Sequence, residues 1–272
     1  MFAQREFNVL VTLLTECVPV NIPTHPFRDS RQFDGYLLGR NGVRAKVEQA
    51  EELLPVGDPQ DKLAFYVYGF FTPLSKLMDD MQHFSGRGFR VLGVHNATAG
   101  MVRDVAQTVG DKFGVGKNPA VDAVKSLLRQ ALESGLSVSL FGHSQGATIC
   151  CRALWEVRDN LLDSGLSEEQ AVAKLSLVEL ETAGGVSTRY PDGPAYRHLV
   201  NSYDPVPRTL GLNSPLPFKK PGEKAEIESL SVLRKPYTLP RDHWLDLIPN
   251  AVDRSVHGTE VYYGEQQAGL TA

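Results

Sequence analysis

One segment limits the possible folds of this chain more than any other. An apolar run, Leu136 to Phe141, reads as a buried strand. It leads into Gly142-His143-Ser144-Gln145-Gly146, and Ala147 to Leu162 then carries a long helical pattern. A serine set between flanking glycines at a strand-to-helix junction sits on a sharp turn that lifts its hydroxyl above the sheet edge. The helix that begins there aims its first amides at the place where an oxyanion would form. In a chain with 24 glycines the pentapeptide can arise by chance. The strand before it and the helix after it make Ser144 the candidate nucleophile.

The rest of the chain supplies the units such a turn needs. Leu63 to Tyr68 is a short apolar and aromatic run, a strand buried on both faces, and helix-like sequence follows through Leu77 and Met81. Phe89 to Val94 is a second strand and Asn118 to Leu132 a helix. After the central strand and helix, Leu175 to Leu180, His198 to Val200 and Ala225 to Leu233 are further strand candidates. Strands alternating with helices predict α/β architecture: a mostly parallel sheet with helices on both faces. The expected organisation is a single domain over residues 1–272. Residues 1–60 form a helical extension, with Phe7, Leu10, Val11 and Leu14 at helical spacing and a mainly helical pattern from Gln32 to Leu54. Residues 205–224, rich in proline, read as a surface excursion that serves as a lid or cleft rim.

A serine hydroxyl needs a base, and the base needs an orienting acid. Downstream of Ser144 the best acid is Asp204, just past a strand and before Pro205-Val206-Pro207; Asp192, in Pro191-Asp192-Gly193, fits an ordinary turn. Three histidines remain. His198 lies within a strand, ahead of the acid, and reads as structural. His243 follows the last strand candidate, and His257 precedes a final helix; His257 is preferred as base, with His243 the alternative. The second oxyanion donor is expected from the loop Tyr68-Gly69-Phe70-Phe71, so Phe70 or Phe71 would join Gln145. His143 reads as a packing or cleft residue. His95 and Asn96, after the second strand, either touch substrate or cap structure.

Composition removes other classes. A formal charge of -4 and the lack of a Lys/Arg cluster argue against nucleic acid. Three cysteines, Cys17, Cys150 and Cys151, form no disulfide framework, and the vicinal pair on the helix reads as buried packing. No histidine pair sits at ligand spacing, so no metal or other cofactor is expected. No run reaches the roughly 18 apolar residues of a membrane span. The first twenty residues lack the pattern of a cleavable secretion signal. The expectation is a cytoplasmic protein, with export as a bacterial effector left open.

With these residues in place, the sequence resembles the lipase branch of the α/β-hydrolases, namely the class 3 lipases and the bacterial lipase-like proteins that include secreted effectors. The resemblance rests on Gly142 to Gly146, on Asp204-Pro205-Val206-Pro207, on His257 with Tyr262, and on His95-Asn96-Ala97-Thr98-Ala99-Gly100. It implies an α/β-hydrolase fold and ester hydrolysis through an acyl-enzyme. It also implies a triad of Ser144, Asp204 and His257, a lipid or other small ester substrate, and transient contact with a membrane surface. Gly69-Phe70-Phe71-Thr72 departs from the usual oxyanion loop of class 3 lipases. A thioesterase or acyltransferase would share the triad, and a non-catalytic binding protein would share the fold.

Overall fold

The computed structural model describes residues 32–39, 42–53, 62–69, 72, 74–98, 101–232 and 259–263. Among them, eight strands form one sheet. They are β1 (Leu37–Leu38), β2 (Arg44–Ala45), β3 (Lys62–Val67), β4 (Phe89–Val94), β5 (Val138–His143), β6 (Val178–Ala183), β7 (Ala195–Asn201) and β8 (Glu226–Leu230), in spatial order β2-β1-β4-β3-β5-β6-β7-β8. From β4 to the β8 edge every pairing is parallel; β1 lies antiparallel to β4, and β2 antiparallel to β1.

The period-two pattern of the central strands explains why both faces are covered. Ala64 and Tyr66 of β3 point to one side. There they meet Leu77, Met81 and Phe84 of α2 (Leu74–Gly86) and Tyr262 and Tyr263 of α8 (Thr259–Tyr263). Phe65 and Val67 point to the other side, into a larger core with Val124 and Leu128 of α4 (Pro119–Glu133) and Ile149 and Leu154 of α5 (Gln145–Asp163). Four more α-helices lie among the described residues: α1 (Ala50–Leu53), α3 (Met101–Phe113), α6 (Glu168–Leu175) and α7 (Pro205–Thr209). A mostly parallel sheet with helices on both faces and a strand–turn–helix at its centre is the α/β-hydrolase fold, as expected.

The order of the strands locates a crevice. From β3 the chain moves to β4 on one side, whereas from β5 it moves to β6 on the other. The carboxyl ends of β3 and β5 therefore flank a topological switch point, where ligands bind in open α/β sheets.

Several elements differ from the sequence expectation. The stretch from Gln32 to Leu54 is not mainly helical, since β1 and β2 form a hairpin there. Leu37 enters one core and Leu38 the other, so consecutive side chains point to opposite faces, as only a strand allows. The turn between β1 and β2 ends at Gly42, with φ 78°. The central strand starts and ends two residues later than expected. Its register continues through Gly142↔Thr182 and His143↔Ala183. The strand expected at Leu175 starts at Val178, because α6, opened by a capping box at Ser167 and Gln170, runs through Leu175. The N-terminal helix expected around Phe7 to Leu14 lies outside the described residues.

Candidate active site

Ser144 follows β5 and caps α5, with φ 56° and ψ −122°. A non-glycine residue in such a region costs about 1–3 kcal/mol and persists only where its surroundings hold it. Here the Ser144 amide donates to Ala183 O at 2.9 Å, and Ser144 O accepts from the Ala147 amide at 3.2 Å. Within the pentapeptide only Ser144 is partly exposed; the residues on either side are buried.

The flanking glycines are required by close approach. A Cβ on Gly142 would lie 2.6 Å from Ala147 Cα, and one on Gly146 only 2.0 Å from Val67 O of β3. Helix α5 thus packs backbone to backbone on the neighbouring strand. A third glycine sits opposite: a Cβ on Gly69 would lie 2.8 Å from Ser144 Cβ and 3.3 Å from the Gln145 amide nitrogen. The loop after β3 therefore passes directly beside the serine and the first amide of α5. Phe70 and Phe71, the expected second donors, lie outside the described residues.

Asp204 follows β7, two strands from β5, or about 10 Å across the sheet at the usual spacing. Its side chain is fully buried (0% exposed). Asp204 Oδ1 accepts from the Val206 amide at 2.8 Å, which caps α7, and Oδ2 accepts from the Tyr262 hydroxyl. A carboxylate offers about four acceptor positions, so these two bonds do not exhaust it. Asn201, also fully buried, fixes the approach to Asp204. It accepts from the Tyr203 and Val232 amides at 3.3 and 3.2 Å and donates to Val232 O at 3.0 Å. Burial, followed by the charge of Asp204, pushes the Tyr262 hydroxyl far above its ordinary pKa, so it stays a donor.

Helix α8 carries Tyr262 to this point. The helix is anchored by Thr259 Oγ1 donating to Asp80 Oδ1 at 3.3 Å and by Glu260 pairing with Lys76 at 2.8 Å. His257 and His243, the two candidate bases, lie outside the described residues. His198 is fully buried in β7, with Nδ1 2.8 Å from Thr182 Oγ1 and Nε2 2.8 Å from Pro221 O. A carbonyl only accepts, so Nε2 carries the proton and Nδ1 accepts from Thr182. Burial lowers its pKa to about 4. His143 is buried with its ring 6.1 Å from that of Tyr262. Asp192 pairs with Lys220 at 2.6 Å on a turn through Gly193 (φ 117°).

Residues 205–224 begin directly after Asp204 and are stitched to the loop after β6. The Tyr190 amide donates to Lys220 O and the Lys220 amide to Thr188 O, both at 2.8 Å. A Cβ on Gly211 would lie 2.2 Å from Gly185 O.

A polar cluster behind the turn at Ser144 takes in His95 and Asn96, which their place after a strand had marked in the sequence. Asn96 Nδ2 donates to Gln145 Oε1 at 2.8 Å and, more loosely, to Tyr68 O at 3.4 Å. Gln145 Nε2 donates to Asp111 Oδ2 at 3.4 Å, and Asp111 also accepts from Asn118 (2.8 Å) and Arg152 (3.0 Å). Tyr68 Oη lies 2.6 Å from His95 Nδ1. His95 and Asn96 therefore hold Tyr68, at the start of the loop beside Ser144. Asp111 lies on α3, a helix not singled out from the sequence, and the packing of α3 on α5 brings it to Arg152.

Cys150 and Cys151 are buried thiols; burial raises both, Cys151 to about 12, which leaves no reactive thiolate at neutral pH. Among the described residues, no group of three or more His, Cys, Asp or Glu side chains could hold a metal, and no helix is long and apolar enough to cross a membrane.

A scan against protein-family models found no match, and neither did a search of curated proteins. Solved structures do align. Lipase B of Aspergillus fumigatus aligns at 9% identity and TM-score 0.39, over 65% of this chain and 47% of the lipase, so the chain spans about half of that protein's length. A protein assigned as a dienelactone hydrolase from Klebsiella pneumoniae aligns at 10% identity and TM-score 0.41, over 80% of this chain and 89% of its own. An esterase of Thermogutta terrifontis, with propionate bound, aligns at 11% identity and TM-score 0.38, over 80% and 86%. The α/β-hydrolase fold assigned to this chain rests on its own sheet order and on the turn at Ser144.

Proposed function

We propose that this chain is a serine hydrolase that cleaves carboxylic esters through an acyl-enzyme, with a lipase- or phospholipase-like substrate. The observation that carries the reading is the conformation of Ser144: a strained turn at the switch point, beside the backbone of Gly69 and at the start of α5. Such strain is kept where function uses it. Ser144 Oγ attacks the ester carbonyl while the base takes its proton, and the tetrahedral oxyanion is met by the Gln145 amide and an amide of Phe70 or Phe71. The base then returns the proton to the departing alcohol, and water repeats the sequence to release the acid. Buried Asp204 orients the base.

His257 is the preferred base, with His243 the alternative. His257 lies two residues before α8, so at most about 7 Å of chain separates it from Thr259. Helix α8 in turn delivers Tyr262 to Asp204. The backbone bonds of residues 205–224 support their reading as a rim of the cleft.

A fluorophosphonate probe should label the protein at Ser144, and Ser144→Ala should remove the label. Labelling that persists in the variant refutes the assignment. Loss of ester turnover in His257→Ala, with turnover retained in His243→Ala, would identify the base; the reverse would move the role to His243.

A further inference from the structure

The buried cluster behind the elbow has a direction imposed from both ends. Asp111 presents a carboxylate, which accepts and does not donate, so Gln145 must turn Nε2 toward it. That leaves Gln145 Oε1 facing Asn96, which must supply a hydrogen from Nδ2. The same Nδ2 faces Tyr68 O, and a carbonyl also only accepts. Every amide orientation in the series Tyr68–Asn96–Gln145–Asp111 is thereby fixed. All three side chains are buried: Gln145 is 1% exposed, Asn96 2% and Asp111 3%.

The chain joins two backbone segments that would serve one oxyanion. Gln145 follows the nucleophile and contributes its amide, and Tyr68 opens the loop that carries Gly69 and then Phe70. Asn96 touches both, from the end of β4. Beyond Gln145, Asp111 is held by Arg152, which also donates to Gly116 O at 2.7 Å, and by Asn118, which caps α4 through Ala120 at 2.9 Å. The far end of the chain is therefore anchored in three helices.

We propose that Asn96 is a positioning residue that sets the spacing between the first amide of α5 and the start of the loop after β3 by holding Gln145 and Tyr68 on one amide group. The inference rests on the reading of Ser144 as nucleophile. Asn96 does not contact the reacting atoms; it acts through the backbone of Tyr68, Gly69 and Gln145. Oxyanion donors work through placement, and outright loss of one lowers kcat about 10²–10³-fold.

The test uses the full chain with p-nitrophenyl butyrate, with turnover expressed per active serine titrated by a fluorophosphonate. Asn96→Ala removes the shared donor. Gln145→Met breaks the Asn96–Gln145 bond from the other side, and the Gln145–Asp111 bond with it, while keeping the main-chain amide and the side-chain volume. Each should lower kcat about 10–100-fold while KM changes less than about threefold, since uniform binding is untouched. The double variant should lose no more than the worse single one, because both break one linkage.

If Ser144 of the wild type takes no label, the reading of the site fails and the inference with it. If the wild type is labelled and both single variants keep full kcat per titrated serine, the inference alone is overturned. Additive losses in the double variant also overturn it. If Asn96→Ala does not fold, Gln145→Met decides the matter alone by its kcat and KM.

Discussion

Tyr262 donates its hydroxyl hydrogen to Asp204 Oδ2, joining a C-terminal helix to the end of β7 across 58 residues of sequence. Removing only the hydroxyl leaves a buried carboxylate short of one donor. Tyr262→Phe should lower unfolding stability by about 1.5–3 kcal/mol, the usual range for a hydrogen bond to a charged group. Urea unfolding at neutral pH measures it, and an unchanged midpoint would show that the bond contributes nothing.

The strain at Ser144 has its own signature. Ser144→Gly should abolish ester turnover yet raise stability by about 1 kcal/mol, because glycine accepts positive φ without the Cβ clash. A variant less stable than the wild type would mean that the turn is not strained in the way its dihedral angles indicate.

Two glycines, one in the first turn of α5 and one just beyond its end, should respond differently to alanine. At Gly146 the new Cβ would meet Val67 O at 2.0 Å, a backbone atom that cannot yield. Gly146→Ala should cost more than about 4 kcal/mol or prevent folding. Gly165, just beyond the helix, has φ 95° and open space around it, so Gly165→Ala should cost about 1–2 kcal/mol. Equal losses at the two sites would contradict the packing described.

His198 makes stability depend on pH. Its pKa falls from 6.5 to about 4 on folding, so between these values the unfolded chain binds the extra proton. The stabilisation is complete above pH 6.5 and is lost as pH falls toward 4, about 3 kcal/mol in all. His198→Gln should flatten this part of the stability profile relative to the wild type. Parallel profiles for the two proteins between pH 7 and pH 4 would refute it.

The centre of the fold was legible because its signals are local. A run such as Phe89 to Val94 reads as a strand from its composition and length, and the glycines around Ser144 mark a turn. Asn118-Pro119 likewise announces the start of α4, with a cap followed by a proline in the first turn. Features that arise from tertiary packing were not legible. Leu37 and Leu38 form a two-residue strand only because β4 offers an edge to pair with. Asp111 and Arg152 stand 41 residues apart and meet only because α3 packs on α5. Asn96 was noticed for its place after a strand. Its partners lie 28 and 49 residues away, and no spacing rule connects them.

The contact of Gly146 with Val67 O means that peptide planes, not side chains, meet where α5 crosses β3. Peptide geometry does not vary with sequence, so the distance from the serine's helix to the loop after β3 works as a fixed gauge. Side chains elsewhere in the two cores can be exchanged and repacked without resetting it. The dimension on which the proposed chemistry depends is in this way kept apart from the parts of the molecule most free to change.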